Sequence, residues 1–257
     1  MKDNHIEKLI DILDSSKVAF GDDYLSKPKK EDIKVLKQNK TTNFKKRYLE
    51  KRKQQEKEKS SNKIEIPSNQ NKKEIDNLSY NELEGLVLNC NKCYASSIRK
   101  SIIFGKGDIN PKLMVIGEGP GREEDIHNEI FVGKSGQYLK NWLAAINLSF
   151  EKDVYLSNIV KCFSNSNPTK EIVNSCKPYL DRQIELVKPK AILILGKIAA
   201  NNLLDKNSTM KDLRGNIYTY KKIPCIVTYH PAAVLRNPQW RAPVWQDLQK
   251  VEKLYSL

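Results

Sequence analysis

The chain has 257 residues, with 45 Lys/Arg against 31 Asp/Glu and a formal net charge of +14 at pH 7. That length holds one sizeable domain plus an extension, and the positive excess points to a polyanionic partner. No apolar run reaches the ~18 residues of a membrane span and residues 1–9 carry charges throughout, which excludes a membrane partner and predicts a cytoplasmic protein.

Residues 1–75 hold 20 Lys/Arg against 13 Asp/Glu, about half of the net charge. The stretch 45–61 is nearly all polar and cannot bury enough apolar surface to fold alone. Ile6, Leu9, Ile10 and Leu13 are spaced i, i+3, i+4, i+7, as on one helical face. The first domain boundary is therefore set at residue 75: residues 1–75 form a basic, mostly disordered extension with a short N-terminal helix, and 76–257 form the folded domain. Within that domain strand-like runs at 113–116, 154–159, 191–195 and 225–229 alternate with helical stretches at 135–146, 169–187, 197–204 and 243–254. Leu139, Trp142, Leu143 and Ile146 give the first of these helices an apolar face. Four alternating β units imply an α/β, three-layer αβα fold around a short four-stranded parallel sheet. Residues 215–220 add a small hairpin before the last strand.

In such a sheet, ligands sit outside the carboxyl ends of the strands. The first strand ends at Gly117-Glu118-Gly119-Pro120-Gly121, the second at Ser157-Asn158, the third at Gly196 and the fourth at His230. Glu118, Asn158 and His230 should therefore converge. A glycine-rich turn admits close backbone approach to a ligand. A side-chain amide offers one acceptor and two donors, enough to read the edge of a base. A histidine opposite can donate to a developing anion.

These segments resemble the family 4 uracil-DNA glycosylases, the iron–sulfur branch of that superfamily. The resemblance covers 83–251, about two-thirds of the chain. It rests on Gly117-Glu118-Gly119-Pro120-Gly121-Arg122-Glu123-Glu124-Asp125, then Phe131-Val132-Gly133-Lys134-Ser135-Gly136-Gln137. It continues through Ser157-Asn158-Ile159-Val160-Lys161-Cys162 and ends in His230-Pro231-Ala232-Ala233-Val234-Leu235-Arg236. It implies excision of uracil from DNA by hydrolysis of the N-glycosidic bond, leaving an abasic site. Phe131 would stack on the extruded ring, and Asn158 would bond uracil O4 and N3–H. Glu118, Gly119 and Pro120 would form the pocket wall, and Glu124 would crowd the C5 edge. His230 would sit over O2, while Leu235 and Arg236 would enter the duplex. Other branches of the superfamily carry an aspartate where this chain has Gly119. Catalysis is then expected to rest on His230 and on a water positioned by Glu118 or the backbone.

Cytosine presents the reverse hydrogen-bond pattern to uracil. An amide with fixed orientation would leave two buried groups unpaired against it, each costing roughly 1–3 kcal/mol. Asn158 is therefore expected to be held in one orientation.

Cys90 and Cys93 form a CxxC, and Cys162 and Cys176 follow the second strand. Four thiolates suit either a 4Fe–4S cluster or structural zinc, and spacing alone does not choose. The resemblance implies the 4Fe–4S cluster at these four positions. Cys225, inside an apolar run, reads as a buried thiol. The expected partner is uracil-containing DNA, single- or double-stranded, bound by a monomer. Two other readings compete. A branch that traps its product covalently needs a histidine in an inserted loop, and Phe163-Ser164-Asn165-Ser166-Asn167-Pro168 has none. A non-catalytic iron–sulfur nucleic-acid-binding protein would have no need of Phe131, Asn158 and His230 around one cleft.

Overall fold

The apolar runs form strands because β-branched and aliphatic side chains pack well on a pleated surface buried on both faces. The computed structural model of the protein describes residues 15–20 and 74–256. Its strands are β1 (Lys106–Gly107), β2 (Leu113–Gly117), β3 (Val154–Asn158), β4 (Ala191–Leu195), β5 (Ile217–Tyr220) and β6 (Ile223–Thr228). They make one sheet in the order β1-β3-β2-β4-β6-β5. The four expected strands are its parallel core, but the sheet has six strands, with antiparallel β1 and β5 on its two edges. β1 has only two residues, too short to leave a periodic signal; β5 is the hairpin partner expected before β6.

Helices cover both faces. After Ser79, which caps its first turn, comes α1 (Tyr80–Leu88). Then follow α2 (Arg122–His127), α3 (Lys134–Ala145), α4 (Lys170–Val187), α5 (Lys197–Leu203), α6 (Met210–Leu213), α7 (Pro231–Arg236) and α8 (Arg241–Tyr255). Side chains alternate across the pleat. Met114, Ile116, Ile192 and Ile194 join Leu83 of α1 and Leu180 of α4 in one core. Leu113, Val115, Leu193 and Ile226 join Trp142 of α3 and Leu248 of α8 in the other.

Residues 15–20 are helical and belong to the same compact unit as 75–257. Ala19 and Phe20 are buried, and the Phe20 ring lies 6.0 Å from those of both Tyr138 and Trp142 on α3. The boundary expected at residue 75 thus leaves on its far side a helix that packs on the domain. The expected helix through Ile6, Leu9, Ile10 and Leu13 and the basic stretch 45–61 lie outside the described residues. Among the described residues, no helix is long and apolar enough to cross a membrane.

The chain runs from β2 outward to β3, then returns past β2 to β4. This reversal between β2 and β4 makes a topological switch point. The carboxyl ends of β2, β3, β4 and β6 open there.

Candidate active site and thiol cavity

Gly117 ends β2 beside Asn158, the last residue of β3, with which it pairs in register. A Cβ at 117 would collide with Asn158 Oδ1 and come within 3.3 Å of the Phe131 ring. The absent side chain therefore makes room for two others to meet. Asn158 is buried, and its amide forms no hydrogen bond with the described residues. The single orientation expected for Asn158 is thus not fixed by a hydrogen bond to any of the described residues; Gly117 only leaves the room its amide occupies.

Phe131 is buried and has φ 54°, a left-handed conformation that is an outlier for a bulky residue. Such a conformation persists only where the surroundings impose it. Gly136, in the first turn of α3, lies directly against the Phe131 main chain, where any Cβ would overlap its carbonyl. The turn aims the Phe131 ring at His230, with centroids 6.3 Å apart and planes inclined by 25°.

His230 caps α7. Pro231 occupies the first helical position, where its missing N–H is no loss. The Ala232 N–H donates to His230 Nδ1 at 3.2 Å. Nδ1 is thereby the acceptor, and the ring proton of the neutral form sits on Nε2. Burial, helped by the Arg236 charge, pulls the imidazole pKa down to about 4. His230 is therefore neutral near pH 7 and offers one N–H donor. Gly196, with φ 89°, lies beneath it, 3.3 Å separating a built Cβ from His230 Cβ. Thr228 Oγ1 donates to Asp247 at 2.8 Å, which also receives Arg214 Nε at 2.7 Å. The Arg214 guanidinium covers one face of Tyr229, and Trp240 stacks on that ring at 4.3 Å. The end of β6 is thus held rigidly just before His230.

Glu118 is half-buried, and burial raises its carboxyl pKa. Its carbonyl accepts from Val160 N–H at 3.2 Å. A Cβ at Gly119 would come within 2.6 Å of Val160 Cγ2, so little more than glycine fits there. Pro120 is buried, and the half-buried Glu124 turns its carboxylate back over Gly121. Leu235, 43% exposed, and the exposed Arg236 form the last turn of α7. Phe131 thus lies between Asn158, over Gly117, and the His230 ring, and Glu118 directly follows Gly117 at the end of the same strand. A separate cavity of about 340 Å³, bounded by Glu84, Leu88, Phe104, Lys106 and Ile130, includes none of the expected site residues.

On the other side of the β3 terminus, Cys90, Cys93, Cys162 and Cys176 line a second cavity with Lys161 and Tyr179. Two of the thiols come from the segment around the 3₁₀ turn Tyr94–Ser97, one follows β3 and one sits on α4. Arg99 donates to the Cys90 carbonyl at 2.7 Å and approaches Cys162 Sγ at 3.6 Å, and Tyr179 Oη lies 3.8 Å from Cys90 Sγ. The Asp125 carboxylate accepts from the main-chain N–H groups of Lys100 and Ser101 at 2.9 Å, fastening this segment to α2. Burial pushes the Cys162 and Cys176 thiols up to about 11 and about 12, and the neighbouring sulfurs push the same way. Protonated, such thiols are inert; a bound cationic group would reverse that balance. Among the described residues no three His, Cys, Asp or Glu side chains form a single-ion site. Four thiols lining one small cavity are a donor set that suits either a 4Fe–4S cluster or a single zinc. Cys225 is buried within β6 and is not part of this cavity.

Sequence reasoning placed Gly196 at a strand end and Gly136 and Lys161 within quoted motifs but gave none of them a role, and it did not name Gln183. The two glycines are visible as letters, but their need is conformational. Lys161 resembles a surface lysine until its burial is seen.

The family model of the uracil DNA glycosylase superfamily matches residues 104–249. The chain is 38% identical over 178 residues to a type-4 uracil-DNA glycosylase of Archaeoglobus fulgidus, covering 65% of this chain and 89% of that protein. It is 37% identical over 180 residues to one of Saccharolobus solfataricus (66% and 83%), and 34% identical over 174 residues to one of Thermotoga maritima (65% and 89%).

Proposed function

The chain belongs to the uracil-DNA glycosylase superfamily, and from this premise we propose how its residues divide the work of excision. The activity is that of a DNA repair enzyme, a uracil-DNA glycosylase, which hydrolyses the N-glycosyl bond and acts on uracil-containing DNA. Such an enzyme must take its base out of the stack. The exposed Leu235 and Arg236 fill the space the base leaves. The uracil ring enters over Gly117 and stacks on Phe131. Asn158 donates to O4 and accepts from N3–H, Gly119 and Pro120 wall the pocket, and Glu124 closes the C5 edge against a methyl group.

As the C1′–N1 bond breaks, negative charge gathers on uracil O2. His230, neutral and with Nε2–H as its only donor, meets that charge without giving up the proton. A fixed donor aimed at developing charge needs no reorganisation during the reaction. Glu118, its pKa raised by burial, holds the attacking water and accepts its proton. The observation that carries this reading is that Phe131 adjoins Asn158 over Gly117 on one side and faces the neutral His230 ring on the other.

The type-4 family commonly carries a 4Fe–4S cluster. In this chain Cys90, Cys93, Cys162 and Cys176 would hold it, and its contribution is structural: it ties the segment around Cys90 to the end of β3. Hydrolysis is redox-neutral and calls for no electron carrier. The protein acts as a cytoplasmic monomer, with 76–257 as the catalytic domain and 1–75 as a basic extension whose helix at 15–20 packs on that domain.

The test is a labelled oligonucleotide with one uracil, incubated with purified protein and then with alkali. Cleavage at the uracil, with none at thymine or cytosine in matched strands, is expected. Alkali-resistant strands would overturn the proposed roles.

A further inference from the structure

The α7 helix spans six residues, Pro231–Arg236, too few to be stable on propensity alone. It nevertheless carries two parts of the proposed machinery: His230 caps its first turn, and Leu235 and Arg236 form its last. Beyond it the chain doubles back through the 3₁₀ turn Pro238–Trp240. Asn237 N–H donates to the Val234 carbonyl at 3.1 Å, Trp240 N–H to the Asn237 carbonyl at 3.0 Å, and the Asn237 amide to the Ala233 carbonyl at 2.9 Å. The Trp240 indole thereby returns to Tyr229, the residue before His230. It lies on that ring at 4.3 Å, with the planes inclined by 7°. Segment 229–240 is closed on itself.

A parallel ring at that distance fills the face it stacks on, so the Arg214 guanidinium, 4.9 Å from the Tyr229 centroid, takes the other face. Arg214 is itself fixed to α8, donating to Asp247 Oδ2 at 2.7 Å and to the Pro243 carbonyl at 2.5 Å. Thr228, in front of Tyr229, donates its hydroxyl to Asp247, and its carbonyl accepts from Gly196 N–H at 2.8 Å. One side of the stack therefore belongs to the sheet and α8, and Trp240 is the side that closes over α7. We propose that Trp240 is a positioning residue whose stack on Tyr229 latches α7, so that His230 and the Leu235–Arg236 turn move as one body. The inference rests on the roles proposed above for those three residues. Entry of Leu235 and Arg236 into the duplex loads the far end of α7. With the latch closed, His230 Nε2 arrives at uracil O2 together with the base. With the latch open, the short helix tilts under that load and His230 is displaced, and a misplacement of about 1 Å can cost roughly a hundredfold in rate.

The test compares the full-length wild type with Trp240→Ala, and with Trp240→Phe as the conservative variant. Single-turnover excision is measured on single-stranded and on duplex DNA carrying one uracil, together with Tm. A 2-aminopurine placed beside the uracil brightens as the stack opens and reports base extrusion separately from chemistry. Trp240→Ala should slow excision from the duplex by about tenfold and from the single strand by no more than about twofold, since no wedge loads α7 there. The opening signal should keep its wild-type amplitude. Trp240→Phe should regain most of the duplex rate, because a phenyl ring still covers Tyr229. Trp240→Leu serves if Trp240→Ala does not fold: it fills the space without offering a ring, and should show the same split between the two substrates.

Equal losses on single and double strands, or an unchanged duplex rate, would show that Trp240 merely fills space. An opening signal that fell in step with the duplex rate would make Trp240 part of the wedge alone and overturn the coupling. Leu235→Ala with wild-type excision from the duplex, or wild-type protein inactive on both substrates, would instead overturn the roles on which the inference stands. The two failures are thus distinguishable.

Discussion

Asn158 and Cys162 are four residues apart, yet they serve two sites built on opposite terms. At the proposed uracil site the Ala232 N–H fixes the His230 tautomer, and Gly117 leaves room for the Asn158 amide beside the Phe131 ring. In the thiol cavity the four side chains are together, but burial holds Cys162 and Cys176 as neutral thiols. On the roles proposed above, the first site rests on packing, whereas the second would need a bound positive group to turn its thiols into thiolates. Shape can be settled by van der Waals contact; a buried charge cannot.

The largest effects should separate the two regions. His230→Ala should slow excision by roughly 10²–10³-fold by removing one preorganised donor, with iron content, melting temperature and DNA binding unchanged. Cys162→Ala should do the converse, losing iron and lowering Tm by about 10 °C, equivalent to roughly 3–5 kcal/mol in a domain of this size. A His230→Ala protein that also lost iron would dissolve the distinction.

A smaller effect sharpens the crevice side. Glu118→Gln should lower the rate by roughly 10²-fold, the lower end for general-base loss, and change the pH profile. Burial raises the Glu118 pKa above its ordinary value of 4.5, while His230 titrates at about 4. The acidic limb of the wild-type kcat/KM profile should therefore belong to Glu118 and lie above pH 4.5. In the variant it should move down towards pH 4, where His230 gains its second proton. An unmoved limb would remove Glu118 from the proton transfer.

The smallest changes concern the N-terminal region. Residues 26–74 carry 17 Lys/Arg against 7 Asp/Glu. Replacing them with a Gly/Ser linker of equal length should leave kcat and Tm unaltered, weaken DNA binding and flatten its dependence on salt. Phe20→Ala should do neither to DNA binding but cost about 3 kcal/mol in denaturant unfolding, because its ring packs on Tyr138 and Trp142. Equal behaviour of the two variants would mean that residues 15–20 act only as part of the charged segment.

Strand ends carried most of what was legible beforehand. The four parallel strands were readable as apolar runs, and once they are laid side by side Glu118, Asn158 and His230 must share an edge. The two-residue strand β1 left no pattern to read. The helix at 15–20 escaped because Ala19 and Phe20 gain meaning only against α3. Lys161 belonged to a quoted motif, but its burial shows only once the three-dimensional arrangement brings Gln183, 22 residues on, to meet it. Gly136 belonged to a quoted motif, but its purpose depends on the φ of Phe131.

That last contact has a consequence for binding entropy. A side chain on an ordinary flexible turn would sample several positions and be ordered only when its ligand arrived, at the expense of affinity. The wedge of Gly136 against the Phe131 main chain moves that ordering to the folding reaction. In the role proposed for Phe131, its main chain is therefore already fixed when a base leaves the helix, and that share of the binding entropy has been lost once, as the chain folded.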